Sequence, residues 1–162
     1  MSAILLENST VHDITSNTIL FSSFDTNLTI IDLNVTNINT RAQGRFLKVS
    51  FGSNISIQNI IYKNSSMKFI ETLNSDLFLN NIEVGNITLT QHFIDFTSCY
   101  NVTVQNLVIH NVSTTNQLIH ISESEINLLE NMTIHTINST ALYLLKSSVS
   151  IINNINIYNV EK

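Results

Sequence analysis

One short phrase of alternating apolar and polar residues is broken in its middle and repeated along the whole chain. In "VTVQNLVIHNV", from Val102, the apolar residues Val102, Val104, Leu107 and Ile109 fall at i, i+2, i+5 and i+7. Period two is strand spacing, and the single step of three between Val104 and Leu107 shifts its phase once. Asn106 sits at that shift. Asparagine tolerates left-handed backbone geometry, so it marks a corner between two short strands.

The phrase recurs as "ILLENSTVHDI" from Ile4, "LTIIDLNVTNI" from Leu28, "ISIQNIIYKNS" from Ile55, "LFLNNIEVGNI" from Leu77, "NLLENMTIHTI" from Asn127 and "SIINNINIYNV" from Ser150. Successive starts lie 24, 27, 22, 25, 25 and 23 residues apart. Aligned, the seven copies give an apolar third position (Leu6, Ile30, Ile57, Leu79, Val104, Leu129, Ile152) and an outward second position (Leu5, Thr29, Ser56, Phe78, Thr103, Leu128, Ile151). The corner position reads Asn8, Asp32, Asn59, Asn81, Asn106, Asn131 and Asn154. Between copies lies a third strand signal: "ILFS" from Ile19, "FLKV" from Phe46, "FIET" from Phe69, "FIDF" from Phe93, "LIHI" from Leu118 and "LYLL" from Leu142. Three short strands in each period of 22–27 residues make one coil of a solenoid. Such a coil buries its inner face only when stacked on neighbours about 4.8 Å away. The expectation is an all-β, single-stranded parallel β-helix of about seven coils, one segment over residues 1–162. The corner amides would bond coil to coil as a ladder.

These strand–corner–strand phrases resemble the right-handed parallel β-helix proteins of the pectate-lyase-like fold. Asn59, Asn81, Asn106 and Asn154 stand where that family has its asparagine ladder. The resemblance covers essentially the whole chain and speaks to architecture more than to activity. It implies right-handed winding and carbohydrate bound along the outer face of the third strand. On that face the outward column reads Phe21, Lys48, Glu71, Asp95, His120 and Leu144. Glu71 and Asp95, one strand spacing apart, are the candidate acid–base pair for a glycosidic bond, with Lys48 and His120 beside them. The competing reading is a mixed-charge ladder whose members neutralise one another. No catalytic motif of the family can be carried over residue by residue, and every loop is short.

Composition narrows the function classes. Asn, Ser and Thr supply 24, 19 and 17 residues, Pro and Trp are absent, and charged residues make up only 12%. This is a vocabulary of strands and polar turns. A net charge of −5 argues against nucleic acid, since Arg41, Arg45 and Lys48 form the only dense basic patch. No apolar run approaches a membrane span of about 18 residues. The single cysteine, Cys99, permits no internal disulfide and has no partner for nucleophilic work. His110 and His135 share a column with the more distant His12, but no third ligand joins them, so neither a metal site nor a cofactor is expected.

Ten Asn-x-Ser/Thr sequons occur, about twice what this composition gives by chance: Asn8, Asn27, Asn34, Asn54, Asn64, Asn86, Asn101, Asn111, Asn131 and Asn138. They point to an N-glycosylated extracellular or cell-surface protein. The alternative is that strand–turn grammar writes sequons without any glycan. Asn8 and Asn131 are also ladder positions, leaving Asn27, Asn34, Asn54, Asn64, Asn86, Asn101, Asn111 and Asn138 as the glycan candidates. The reading that joins these observations is an extracellular structural or adhesive spacer. Its partners would be flanking repeats or copies of itself end to end, with carbohydrate binding or cleavage as the alternative. Both "AILLEN" and "NIYNVEK" lie inside the strand phrase, so a longer repeat array or a filament is expected.

Overall fold

The computed structural model describes residues 2–15, 19–39 and 44–161. These contain thirteen strands and no helix: β1 Ser2–Thr15, β2 Ile19–Phe24, β3 Thr26–Asn39, β4 Arg45–Ser50, β5 Asn54–Ser65, β6 Lys68–Leu73 and β7 Asp76–Leu89, then β8 Ile94–Thr97, β9 Tyr100–Thr114, β10 Ile119–Ser122, β11 Glu125–Ile137, β12 Leu142–Leu145 and β13 Ser148–Val160. Odd-numbered strands form one parallel seven-stranded sheet in the order β1-β3-β5-β7-β9-β11-β13. Even-numbered strands form a second parallel sheet, β12-β10-β8-β6-β4-β2. The chain alternates between the two, so each long strand plus the next short one is a turn of a β-solenoid. Seven long and six short strands make about six full turns among the described residues.

The two strands expected on either side of the asparagine corner are one continuous bent strand. The bend comes from single left-handed residues. All seven corner positions have positive φ: Asn8 48°, Asp32 55°, Asn59 56°, Asn81 55°, Asn106 53°, Asn131 52° and Asn154 51°. A second bend follows five residues later, at Asp13, Asn37, Asn64, Asn86, Asn111, Thr136 and Asn159. A third lies between the short and long strands, at Asp25, Phe51, Asn74, Ser98, Glu123 and Lys146. The first two bends turn the chain while the hydrogen-bond ladder continues, because a lone αL residue reverses the phase of the pleat without ending the strand, whereas the third separates each short strand from the next long one.

The corner amides do bond along the axis. Asn59 Nδ2 donates to Asp32 Oδ1 at 2.8 Å, Asn81 to Asn59 at 2.9 Å, Asn131 to Asn106 at 3.1 Å and Asn154 to Asn131 at 2.8 Å. Each amide donates to the preceding coil. Asp32 has no N–H to pass on, and the run of bonds begins there. Asn106 departs from the expected step: it donates to Asn80 at 2.8 Å, not to Asn81. A shorter ladder occupies the second bend, with Asn86 donating to Asn64 at 3.0 Å and Asn111 to Asn86 at 3.3 Å. We expect Asn106→Leu to cost about 1–3 kcal/mol, from a branched side chain forced into αL and from two lost ladder bonds. Asn106→Gly, which relieves the strain but not the loss of the ladder, should cost less. Urea midpoints of the two variants separate the contributions.

The core is the stack of inward columns. Ile30, Ile57, Leu79 and Leu129 are buried in the third-position column, as are Val35, Tyr62, Val84, Ile109 and Ile134 in the column beyond the corner. Phe46, Phe69 and Phe93 stack from the short sheet, with centroids 6.1 and 5.7 Å apart. Tyr62 meets them from the long sheet and donates its hydroxyl to Met67 O at 3.0 Å. One alignment made on sequence shifts by one residue. Ile126, not Asn127, pairs with Val102, whereas Ile126 with Val149 and Leu128 with Ile151 keep the expected step of 23 residues between the last two copies. Asn127 falls in a break of register and reaches Asn101 Oδ1 at 3.5 Å. The apolar residue is selected for the inner face, and the bulge absorbs the extra residue.

Candidate functional site

The short sheet carries the densest titratable cluster. In a parallel in-register sheet, like positions stack one strand spacing apart. Register pairs Lys48 with Glu71, Glu71 with Asp95 and Asp95 with His120, so the four candidates form one column on β4, β6, β8 and β10. Its outer members differ from the sequence alignment. Tyr143, not Leu144, follows His120, and Ser22, not Phe21, precedes Lys48. Phe21 is opposite the inward Leu47 and Leu144 opposite the inward Ile121. Arg41 lies outside the described residues.

Three residues that the column pattern did not reveal complete the cluster. Lys68, at the start of β6, is only 3% exposed. Its Nζ lies 3.0 Å from both Glu71 Oε2 and Asp95 Oδ2. Arg45 Nε meets the same Glu71 oxygen at 2.5 Å, while Lys48 stands 3.9 Å from the other. His120 donates from Nδ1 to Asp95 Oδ1 at 2.9 Å, which places a proton on that nitrogen. His92 donates from Nδ1 to Gln117 O at 3.1 Å and stacks on His120 with centroids 4.5 Å apart. Tyr143 continues the stack at 5.7 Å. Arg45 and Lys68 carry a sequence signal, a cation just before the phrases "FLKV" and "FIET", but it falls outside the strict alternation. His92 lies in a loop and has none.

The electrostatics follow from this packing. Burial works to raise the Glu71 carboxyl, but hydrogen bonds and charge from Arg45 and Lys68 outweigh it and hold the group below its ordinary range. Burial opposes ionisation of Asp95 too, and Lys68 and His120 overcome it in the same way. Burial depresses the His92 imidazole, with the Gln117 carbonyl only partly offsetting it. A general acid for glycoside chemistry needs a carboxyl pushed upward so that it holds a proton near neutrality. Both carboxyls here are pushed the other way, and each is engaged by cations of this same chain.

The histidine column on the long sheet is also real. His110 and His135 stack at 5.7 Å and Tyr158 follows at 4.9 Å. Gly85 lies opposite His110, whose ring occupies the space a side chain would need: a Cβ there would come within 2.5 Å of the imidazole. Among the described residues no group of three or more His, Cys, Asp or Glu side chains is placed to hold a metal ion. Cys99 stands in a column of small hydroxyl residues at the third bend, Ser53, Ser75, Ser124 and Ser147, where hydroxyls serve neighbouring backbone groups. Its buried thiol lies 3.1 Å from Thr72 Oγ1, and burial pushes it up, away from thiolate chemistry.

Six of the ten sequon asparagines, Asn8, Asn64, Asn86, Asn101, Asn111 and Asn131, sit at positive-φ bends. At a bend Asn is followed by an inward apolar residue and then an outward Ser or Thr in four of these, Asn86, Asn101, Asn111 and Asn131. The fold therefore writes that triplet for its own reasons. Asn34 is exposed on an outward strand position instead. No protein-family model, curated protein or solved structure matches the chain.

Proposed function

We propose that this chain is a structural β-solenoid, an extracellular spacer whose coils continue into further coils at either end. The observation that carries the reading is the self-neutralised charge cluster on the short sheet. Glu71 and Asp95 spend their bonding capacity on Arg45, Lys68 and His120, and Lys68 is buried between them. Such a network holds neighbouring coils in register. It also holds both carboxyls below the range in which a general acid keeps its proton near neutrality. N-glycans belong to the same reading, with Asn34 the first site to examine by peptide mass. The expected result is that neither polyuronate nor neutral glycans are cleaved. Reproducible turnover that disappears in Asp95→Ala would replace this reading with an enzymatic one.

Carbohydrate binding without cleavage has one observation in its favour. A groove of about 600 Å³ runs along the second bend, walled by Asn86, Asn111, Thr88, Ser113 and Asn138. Its amides and hydroxyls suit a polyhydroxyl chain, with the Glu161 carboxylate also on its wall. Titration calorimetry with neutral oligosaccharides, set against Asn111→Ala, tests that reading.

A further inference from the structure

Two outward columns of the short sheet are joined by a diagonal series of contacts. Arg45, Lys68, His92 and Gln117 each precede the buried residue that opens a short-strand phrase, Phe46, Phe69, Phe93 and Leu118, so they hold the same place on four consecutive coils. From that place the first three reach one coil onward, to the column of Glu71, Asp95 and His120. Arg45 meets Glu71, and Lys68 meets Asp95 at 3.0 Å. His92 meets His120 ring on ring, with centroids 4.5 Å apart and planes 15° from parallel. Two steps of the series are cation on carboxylate, and the third is imidazole on imidazole.

The third step differs from the others in what a proton does to it. Neutral, His92 donates from Nδ1 to Gln117 O at 3.1 Å and lays its ring on His120, which ties the loop before β8 to the coil of β10. Protonated together, the two half-buried rings would be like charges 4.5 Å apart. The groups around His92 do not offset this. On β8, Asp95 attracts a charged His92 but is engaged through both oxygens, by His120 at Oδ1 and by Lys68 at Oδ2. On β6, Lys68 adds a further cation, and Glu71 is taken by Arg45 and Lys68. On β12, Tyr143 offers His120 an uncharged ring. The balance is a depressed His92 imidazole, with burial the largest cause.

The rest of the loop is anchored independently of the stack. Gln91 Nε2 donates to Gly44 O at 2.9 Å, Thr114 Oγ1 donates to Gln91 O at 2.8 Å, and Asn116 Nδ2 donates to Thr90 O at 3.0 Å. His92 can therefore swing out while Gln91 stays seated and β8 stays paired with β10.

We infer that the His92–His120 stack is an acid-opened latch between two coils: on acidification His92 leaves His120 and Gln117 for solvent, while both sheets persist. The open form binds the proton at the ordinary histidine value and the closed form only below it. The closed form is thus favoured above about pH 6.5 and gives way as pH falls.

The test is a titration of the folded chain from about pH 8 to about pH 5, across the ordinary histidine range, read by histidine ring signals in NMR and by amide hydrogen exchange corrected for its intrinsic pH dependence. His92 should titrate lower than in the urea-unfolded chain. With that same midpoint, the amides of residues 91–93 and 117 should shift and exchange severalfold faster, while far-UV circular dichroism and the amide shifts of β3 and β5 hold. His120→Phe keeps a ring against His92 without the charge and should raise the His92 midpoint. His92→Phe should abolish the acid response at residues 91–93 and 117. His92→Gln, which keeps a donor for Gln117 O without a titrating ring, should do the same if the Phe variant folds poorly. A His92 that titrates at its unfolded value overturns the inference. So does a His92 midpoint unchanged by His120→Phe, or an acid response that survives in both His92 variants. Unfolding of the whole chain in one step over this range overturns it too, since the opening would not be local. The spacer reading stands in each of these cases.

Discussion

Ile109→Asp should leave the chain without a cooperative fold. Ile109 is fully buried at the middle of the column beyond the corner, between Val84 and Ile134 on the adjacent coils. A carboxylate there has no partner in reach, and the cost of burying an unpaired charge exceeds the about 5–15 kcal/mol of a typical domain. In a solenoid the loss also spreads, because every coil relies on its neighbours for burial. Far-UV circular dichroism should show a disordered chain or aggregate. The matching outward substitution, Val108→Asp, should keep the wild-type β signal, since Val108 faces solvent. An Ile109→Asp chain with an unchanged spectrum and melting temperature would contradict the inward register of the whole long sheet.

Lys68→Met should cost about 2–4 kcal/mol at neutral pH. Deleting one partner of a buried ion pair costs about 3–5 kcal/mol when the charges left behind are fully desolvated. Glu71 and Asp95 are partly exposed and keep Arg45 and His120, which reduces the penalty. The pH dependence gives the prediction its sharper form. Both carboxyls titrate below their ordinary range in the folded chain, so the unfolded chain binds their protons first. The stability they contribute is present above about pH 4.5 and is lost as pH falls through the folded values. His92 adds an earlier loss: burial depresses it, so stability begins to fall below about pH 6.5. In Lys68→Met the two carboxylates repel without a bridging cation, and protonation relieves them. The deficit of the variant should therefore shrink between pH 7 and pH 4. Urea midpoints of both proteins at the two pH values decide it. An equal deficit at both would mean that Lys68 acts through the packing of its methylenes alone.

How far the fold was legible depends on which force writes each position. Inward columns are written by burial, and a period-two pattern with one phase shift per coil exposes them directly, as at Val104, Leu107 and Ile109. Corner asparagines are written by a local backbone constraint, positive φ, so they too stand out one by one. The parallel β-solenoid, the in-register corner column and the alignment of Lys48, Glu71, Asp95 and His120 follow from those two signals. Register at strand ends does not. Asn127, Phe21 and Leu144 were each misplaced by one residue, because a bulge or a shifted strand start is settled by which neighbour fills the core, and alternation reads the same either way.

What only the tertiary structure decided is the chemistry of the short-sheet face. Along the sequence, Glu71 and Asp95 read as members of a mixed-charge ladder or, alternatively, as a carboxylate pair for acid–base work. In space the pair is bridged by Lys68, which opens the strand that carries Glu71 and lies 27 residues before Asp95, and Arg45 reaches Glu71 from the preceding coil. His92 joins from a loop by stacking, a contact with no periodicity to announce it. Pattern along the chain reports where side chains point, because that is set by the residue's own backbone. Which charge meets which is set by the stacking of coils that are distant in sequence, and here that stacking brings Arg45, Lys68 and His120 onto the two carboxylates.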